Sequence, residues 1–239
     1  GQGSYTLSSS AGYCVGNIDL DNLEYNDPLF SYYKNPCEIL IQASNGASDY
    51  GNKIGEPIIY GFTRTFGMDL PILERQEWLK PIMFTGGIGQ MDAEHTKKTT
   101  VKSGMLICRL GGPAYRIGFG GGAASSRNQD NKNSKFDMCA VQRGDPEMEN
   151  KLNKVIRTCI ELGTKNPIQS IHDQGAGGLG NVCKEIIYPC GGNIYLKNVS
   201  LGDQTLTDIE IWTCEYQEVN VCLVKEEDVD DMEKIYSPS

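Results

Sequence analysis

A short apolar run followed directly by a glycine-rich loop occupies residues 105–126, which read MLICRLGGPAYRIGFGGGAASS. The apolar run is typical of a buried strand. Glycine permits positive φ angles and close approach, so main-chain N–H groups of such a loop line a concave anion site. Arg116 and Arg127 flank the loop, and no acidic residue occurs in it before Asp130. The stretch therefore predicts a phosphate-binding loop, while a flexible surface loop is the alternative for any glycine run.

Two familiar nucleotide-binding loops do not fit this stretch. The Walker pattern ends in Gly-Lys-Ser/Thr, and no lysine occurs between Lys102 and Lys132. Gly118, Gly120 and Ala123 match the dinucleotide fingerprint only loosely. Residues 127–133 are a polar segment where that fingerprint requires a helix.

Composition limits the classes of protein to which the chain could belong. Its 239 residues are 39% hydrophobic, which suits one large or two small globular domains. The net charge of −9 argues against a nucleic-acid surface, and no apolar run approaches the roughly 20 residues that span a bilayer. The nine cysteines contain no C-x-x-C pair, so we predict reduced core cysteines in a cytoplasmic protein. Because the chain starts at Gly1 without a methionine, we expect it to be a piece of a longer polypeptide.

Secondary-structure signals predict an α+β fold with helices on one face of a mixed, mostly antiparallel sheet. The strongest signal is a helix that starts after Asp145, has Pro146 in its first turn and ends at Gly163. Further helices are expected at 181–187 and 226–236, and a short helix or turn at 209–215. Strands are expected at 13–18, 39–41, 57–66, 82–85, 136–142, 167–171 and 219–224. Asn35-Pro36 is interpreted as a breaker, and residues 44–55, which contain Asn45-Gly46, as turns.

A second glycine loop, HDQGAGGLG at residues 172–180, lies between a predicted strand and a predicted helix. Asp173 would stand at the end of the strand, facing the loop and the helix N-terminus. A carboxylate in that position suits Mg²⁺ bound to a triphosphate. An equally good interpretation is that Asp173 only caps the helix.

Two other segments carry polar groups next to predicted elements. Gln142 and Asp145 precede the strongest helix, where an amide and a helix N-terminus orient a polar ligand. Taken alone, a well-capped helix is the better explanation of that segment. Glu215, Gln217 and Glu218 precede the last strand, and a solvated turn is the default interpretation.

Three segments in this order and spacing, 118–126, 142–149 and 171–179, resemble the phosphoribosylformylglycinamidine synthase family in its long, single-chain form. This family belongs to the aminoimidazole-ribonucleotide-synthetase-like superfamily. The resemblance runs nearly end to end, because 61–65 (GFTRT), 80–83 (KPIM), 86–89 (GGIG) and 210–212 (EIW) are also similar to family sequence. At Tyr216 a serine is common in the family, and at Val219 an arginine is common.

The resemblance implies an ATP-dependent ligase of purine biosynthesis. The family converts formylglycinamide ribonucleotide, ATP and glutamine-derived ammonia into formylglycinamidine ribonucleotide. ATP activates the formamide oxygen as an iminophosphate, and ammonia displaces the phosphate. Residues 1–102 would be the second half of a barrel-type ATP-binding domain, and residues 103–239 most of the partner α+β domain, truncated at its end.

The resemblance also implies what lies outside this chain. A His-Asn-His-Pro segment and a glycine-rich acidic segment are expected before Gly1. A second ATP-binding half and a glutaminase domain with a nucleophilic cysteine are expected after Ser239. None of the nine cysteines takes that role, no catalytic residue is assignable, and we expect the fragment to be inactive alone, with unpaired sheet edges that favour self-association.

The resemblance places ligand-binding roles on matching positions. Substrate or phosphate contacts are expected at Gly118, Gly120, Gly121, Gly122, Ala123, Ser125, Gln142, Asp145, Glu215 and Gln217. ATP contacts are expected at Asp173, Gly175 and Gly177, with Asp173 also the Mg²⁺ ligand. Two alternatives stay open: a non-catalytic half that holds nucleotide as a scaffold, and another ATP-using enzyme of the superfamily.

Overall fold

The computed structural model describes residues 1–18, 35–72, 74–120, 144–216 and 218–236. It divides the chain into two compact units. The N-terminal unit comprises residues 6–89, and the C-terminal unit comprises residues 1–5 together with 90–239. The predicted strand at 136–142 lies outside the described residues.

A three-stranded sheet forms the centre of the N-terminal unit. Strand β1 (Tyr5–Val15) lies between β2 (Ile58–Thr65) and β5 (Ile82–Gln90). β1 and β2 are parallel, so their connection needs a crossover, and helix α1 (Pro36–Ile54) lies within it. Strands β3 (Gly67–Leu70) and β4 (Glu74–Glu77) form a separate antiparallel hairpin. The described strands of this unit do not close into a barrel.

Helix α1 corrects two predictions from the sequence. The strand expected at 39–41 and the turns expected at 44–55 are wrong, because both stretches lie inside this helix. The Asn35 side chain accepts a hydrogen bond from the Cys37 N–H at 2.8 Å, and Pro36 occupies the first turn. Asn35-Pro36 is therefore an N-terminal capping signal and not a breaker. Gly55, at φ 82°, ends the helix in the left-handed conformation.

The second half of β1, residues 11–15, is buried, while the neighbouring strands are open to solvent. Tyr13 and Val15 of β1 are 8% and 2% exposed, and the Tyr13 hydroxyl donates to the Ala43 carbonyl of α1 at 3.4 Å. Every residue of β5 is exposed, and Ile88 on it is 65% exposed. The N-terminal unit thus leaves apolar sheet surface uncovered.

A second three-stranded sheet forms the centre of the C-terminal unit. Strand β8 (Val219–Val224) lies between β6 (Leu106–Gly111) and β7 (Ile168–Asp173), and both pairings are antiparallel. The predicted strand at 219–224 is confirmed. The strands predicted near β6 and β7 are confirmed, with ends that differ by one or two residues.

Helices cover both faces of this second sheet. Helices α2 (Pro146–Glu161) and α5 (Val229–Tyr236) pack with Cys222 and Val224. Helix α3 (Gly178–Ile186) packs with Val221 and Leu223 on the opposite face. The α+β class is confirmed, but the sequence placed the helices on one face only. Four consecutive apolar residues at 221–224 fit a strand buried on both faces.

The strongest predicted helix is confirmed in its cap and in its apolar stripe. The Asp145 side chain accepts from the Met148 N–H at 3.0 Å, with Pro146 in the first turn. Leu152, Ile156, Cys159 and Ile160 are its buried residues. Helix α4 (Asp208–Thr213) settles the helix-or-turn alternative at 209–215, and short 3-10 helices lie at Ala93–His95, Gly163–Lys165, Leu196–Asn198 and Glu226–Asp228.

Most of the described cysteines are buried free thiols, as the sequence predicts. Burial raises the pKa of the Cys159 and Cys183 thiols to about 11, so both stay protonated near neutral pH. Among the described helices, none has the length and apolar character that crossing a membrane requires.

Candidate functional site: two glycine loops meet at one buried glutamate

Glu215 lies where the two glycine loops come together. The Gly177 N–H of the second loop donates to Glu215 Oε1 at 3.3 Å. Gly118 of the first loop has φ 69°, and a Cβ placed there would lie 2.8 Å from both the Cβ and the carbonyl oxygen of Glu215. Only glycine fits so close an approach. The two loops therefore share one buried carboxylate as a common neighbour.

Glu218 joins two more segments to the same place. Its side-chain Oε1 accepts from the Asp145 N–H at 2.9 Å, and its carbonyl accepts from the Gly112 N–H at 3.3 Å. Its own φ of 59° lies in the left-handed region, which is rare for a residue with a side chain and marks a constrained position. The N-terminus of α2 thus meets the start of the first glycine loop at this residue.

The interpretation of Glu215 and its neighbour Tyr216 as part of a solvated turn is wrong. Glu215 is only 7% exposed and Tyr216 only 1%. A buried carboxylate needs hydrogen-bond donors, and the main-chain amide of Gly177 supplies one here. The segment is a packed junction and not a surface turn.

Both departures from the family pattern are core residues. Tyr216 packs in a cluster with Val219 and Ile211, and its hydroxyl donates to the Ile211 carbonyl at 3.4 Å. The Arg109 guanidinium lies 5.1 Å from the centre of the Tyr216 ring. Burial raises the pKa of the Tyr216 hydroxyl, so it is a neutral donor. Tyr216 and Val219 therefore change the packing beneath the site and not its open surface.

Asp173 stands at the end of β7 with its side chain 82% exposed. It does not cap α3, because the N-cap residue is Gly177 and no side chain caps that helix. His172 Nδ1 lies 3.4 Å from Asp173 Oδ1, and His172 Nε2 lies 3.1 Å from Glu185 Oε2. The capping interpretation of Asp173 is thus wrong, and its carboxylate remains accessible beside the second glycine loop.

The carboxylate and the main-chain N–H of Asp145 both make hydrogen bonds within the protein. Its carboxylate caps α2, and its N–H bonds to Glu218. The capped-helix interpretation of this residue is confirmed. Any ligand contact at this helix end would come from the main-chain N–H groups that the cap leaves free.

Arg116 does not supply a free positive charge to the loop. Its Nε donates to Glu210 Oε1 at 2.7 Å, and its Nη1 donates to Asp203 Oδ2 at 3.0 Å. Its hydrogen bonds, followed by those of Thr207, lower the pKa of the Glu210 carboxyl to about 2. The expectation that Arg116 adds to the anion site is therefore not supported by this geometry. Arg127 lies outside the described residues.

Sequence reasoning missed Gln174, which is 8% exposed in the second glycine loop. Its Nε2 donates to the Cys214 carbonyl at 3.3 Å, and its N–H donates to the Val219 carbonyl at 2.9 Å. It therefore fastens the second loop to the same junction as Glu215. The only signal for it in the sequence is its place next to Asp173, because a single glutamine has no periodicity.

The predicted site residues are partly brought together. Gly118, Asp145, Gly177 and Glu215 belong to the junction, and Asp173 and Gly175 lie on the second loop beside it. The expected positions Gly121, Gly122, Ala123, Ser125, Gln142 and Gln217 lie outside the described residues. Within the part of the chain that is described, no group of three or more His, Cys, Asp or Glu side chains is arranged to hold a metal ion.

Longer relatives resemble nearly the whole chain. A probable phosphoribosylformylglycinamidine synthase of Arabidopsis thaliana, named as chloroplastic/mitochondrial, is 55% identical over 240 residues. The match covers 98% of this chain and 17% of that protein. The Homo sapiens phosphoribosylformylglycinamidine synthase is 53% identical over 231 residues, which are 94% of this chain and 17% of that protein. The chain thus spans about a sixth of the length of these curated relatives.

Solved structures share the fold at low sequence identity. T. maritima PurL complexed with FGAR has a TM-score of 0.68 and 20% identity, and the match covers 98% of this chain and 34% of that chain. A HypE–HypF complex has a TM-score of 0.61 and 16% identity, with 98% of this chain and 68% of that chain covered.

The model of the family described as AIR synthase related protein, C-terminal domain, matches residues 102–237. Since that match takes in more than half of the chain, this chain belongs to the AIR synthase related proteins, with residues 102–237 as their C-terminal domain.

Proposed function

We propose that this chain is part of the synthetase region of a phosphoribosylformylglycinamidine synthase. The enzyme would use ATP and glutamine to amidate formylglycinamide ribonucleotide in purine biosynthesis. The observation that carries the proposal is the meeting of both glycine loops at Glu215, with the exposed carboxylate of Asp173 at the adjoining strand end. The names of the longer relatives and of the T. maritima PurL complexes with FGAR and with ATP support the choice of reaction.

In this proposal the glycine loops bind phosphate groups through their main-chain amides. Residues 118–126 with Gln142 would hold the substrate or nucleotide phosphates, and Glu215 with Gln217 would lie near the substrate. Glu215 is buried, so it acts here by holding the two loops together. A concave row of N–H groups binds an anion without any lysine, which fits the first loop.

Asp173 is the residue that would face the metal on ATP, together with Gly175 and Gly177 of its loop. Mg²⁺ in such sites takes one or two protein carboxylates and completes its coordination with phosphate oxygens and water. A single exposed carboxylate beside a glycine loop fits that requirement. When bound, Mg²⁺ would neutralise phosphate charge, and Asp173 would orient the nucleotide.

The division of labour between two domains, whose boundary differs from that of the two compact units, is part of the proposal. Residues 1–102 would be the second half of an ATP-binding domain, and residues 103–239 its partner domain. The family match that begins at residue 102 supports this boundary. A second ATP-binding half and a glutaminase domain would belong to the same longer polypeptide, in the cytoplasm, and the chain alone would be inactive.

The test uses the complete enzyme with Asp173→Asn. Loss of the carboxylate should lower kcat/KM roughly a hundredfold, since the variant keeps the shape but loses the charge that faces the nucleotide. Gln142→Ala should lower it roughly tenfold. Asp231→Asn, an exposed surface aspartate paired with Lys234, is the matched control. Unchanged turnover in both site variants would contradict the assignments.

A non-catalytic, nucleotide-holding half remains the second candidate. The departures at Tyr216 and Val219 raised it, but both residues are buried in the core. Titration of the complete enzyme with ATP separates the two functions. A nucleotide that contacts Asp173, stays bound through purification and never turns over would favour the scaffold. A third candidate is another ATP-using enzyme of the same superfamily.

A further inference from the structure

We propose that Arg116 is a positioning residue that fixes the entrance of the first glycine loop against the segment carrying Glu210 and Glu215. The inference rests on the proposed function, because it assigns Arg116 a part in shaping that site. Arg116 stands two residues before Gly118 in the sequence and 94 residues before Glu210. A contact between such distant segments ties the loop to a different part of the chain.

All three guanidinium nitrogens of Arg116 donate hydrogen bonds in this contact. Nε and Nη1 donate to Glu210 and Asp203, and Nη2 donates to the Thr205 carbonyl at 3.1 Å and to Glu210 Oε2 at 3.3 Å. A planar fork with several donors holds one orientation, which an ammonium group does not do. Arg116 is therefore a clamp between two segments and not a ligand for phosphate.

The partners of Arg116 are themselves fixed. Glu210 Oε2 accepts from the Thr207 N–H at 2.9 Å, which forms the capping box of α4. Asp203 Oδ1 accepts from the Thr205 N–H at 2.8 Å. The chain before Arg116 is also fastened, because the Ala114 N–H donates to the Ser200 carbonyl at 2.8 Å. The clamp thus connects the segment held at Ala114 to the start of α4.

The Arg116 clamp should lower the entropic cost of ligand binding at the first glycine loop. Glycine-rich segments lose more conformational entropy on ordering than other segments do. Fixing Gly118 and the residues just before it ahead of the ligand reduces the part of that entropy loss that binding must offset. Loss of Arg116 should weaken ligand binding without removing any group that contacts the ligand.

The test compares Arg116→Met and Arg116→Lys in the complete enzyme. Arg116→Met should raise the KM for formylglycinamide ribonucleotide or the KM for ATP roughly tenfold, with a smaller change in kcat. The KM of Arg116→Lys should lie between those of the parent and of Arg116→Met, because one ammonium group cannot donate to all of these acceptors. Arg157→Met removes an arginine that stacks 4.9 Å from the Tyr5 ring, away from the loop, and is the matched control.

Hydrogen exchange without ligand separates the clamp from the proposed function. Arg116→Met should speed amide exchange at residues 117–120 roughly tenfold while leaving β6 unchanged. Glu210→Gln, which keeps the acceptor for Thr207 but loses the charge, should show the same change and be non-additive with Arg116→Met. Unchanged exchange would overturn the clamp. Faster exchange with unaltered ligand affinity would instead overturn the placement of the ligand on this loop.

Discussion

The two sheets of this chain differ in how their faces are covered. β8 at the centre of the C-terminal unit has Val221 and Cys222 at 0% exposure, with helices packed on both sides. β5 in the N-terminal unit is exposed at every residue, and β2 is nearly so. Burial of apolar surface is the main favourable term in folding, so the sheet of the C-terminal unit contains its own stabilising core. The sheet of the N-terminal unit leaves apolar surface uncovered.

This difference also locates the candidate site. The junction at Glu215 and Glu218 immediately precedes β8, the most deeply buried strand of the C-terminal unit. Binding groups held on rigid elements keep their geometry better than groups on independent loops. The two glycine loops of the C-terminal unit are therefore anchored beside its most deeply buried strand.

The largest expected effect comes from opening the double-sided core with Leu223→Ala. This residue is 1% exposed, so the substitution should lower the free energy of unfolding by about 2–5 kcal/mol. Ile88→Ala, at a residue 65% exposed on β5, should change it by no more than about 0.5 kcal/mol. Urea unfolding followed by Trp212 in the C-terminal unit and Trp78 in the N-terminal unit measures both. Equal losses of unfolding free energy in the two variants would contradict the difference in burial between the two sheets.

Glycine substitutions should have opposite signs in the two units. A Cβ at Gly178 would lie 2.5 Å from the Cys214 carbonyl oxygen, and its φ of 61° is unfavourable for alanine. Gly178→Ala should therefore destabilise the C-terminal unit by about 1–2 kcal/mol or more. Gly46 lies inside α1 with nothing within 4 Å of the added Cβ, so Gly46→Ala should stabilise by about 0.5–1 kcal/mol. Thermal unfolding of both variants should show a lower midpoint temperature for Gly178→Ala and a higher one for Gly46→Ala.

The uncovered sheet of the N-terminal unit should make the isolated chain self-associate. Ile59 on β2 and Ile88 on β5 are 68% and 65% exposed on the two edge strands of a small sheet, and large apolar patches mark association surfaces. Ile88→Lys should weaken the association roughly tenfold. Sedimentation velocity over a wide concentration range measures this. Ile72→Lys, at a residue 91% exposed between β3 and β4, is the control, and a strictly monomeric parent chain would contradict the prediction.

Acid should loosen the C-terminal unit by a smaller amount. Glu210 has its pKa lowered from 4.5 to about 2, chiefly by the hydrogen bonds from Arg116. A lowered pKa in the folded state adds stability above the unfolded pKa, and that stability is lost as pH falls from about 4.5 to about 2. Arg116→Met should lack this contribution already at pH 7 and lose less stability on acidification. Equal losses in parent and variant, followed by Trp212 fluorescence, would contradict it.

Local signals in the sequence were sufficient for much of the C-terminal unit. The cap and apolar stripe of α2 and the strand at 219–224 depend on residues close in sequence, and both predictions are confirmed. The same kind of signal failed at α1, where Asn35-Pro36 starts a helix as readily as it breaks one. A dipeptide does not specify which of the two occurs, because the packing of α1 on Tyr13 is a contact between distant residues.

The candidate site shows the same division. Local signals single out Asp145 and Asp173 from their place beside a helix and a loop, whereas the same signals interpret Glu215 as a solvated turn residue and do not mark Gln174. Their burial depends on segments that approach from about 40 and about 100 positions away in the chain. No pattern within one segment encodes which other segment will lie beside it.

The sequence by itself determined the α+β class, the resemblance to one ligase family and the existence of two glycine loops. These follow from composition, short-range periodicity and motif order, which are properties of neighbouring residues. Only the tertiary structure decided that both loops meet at Glu215, that Arg116 is bound to carboxylates, and that one sheet is covered on both faces and the other is not. Those facts are distances between residues far apart in the chain, and folding alone brings such residues together.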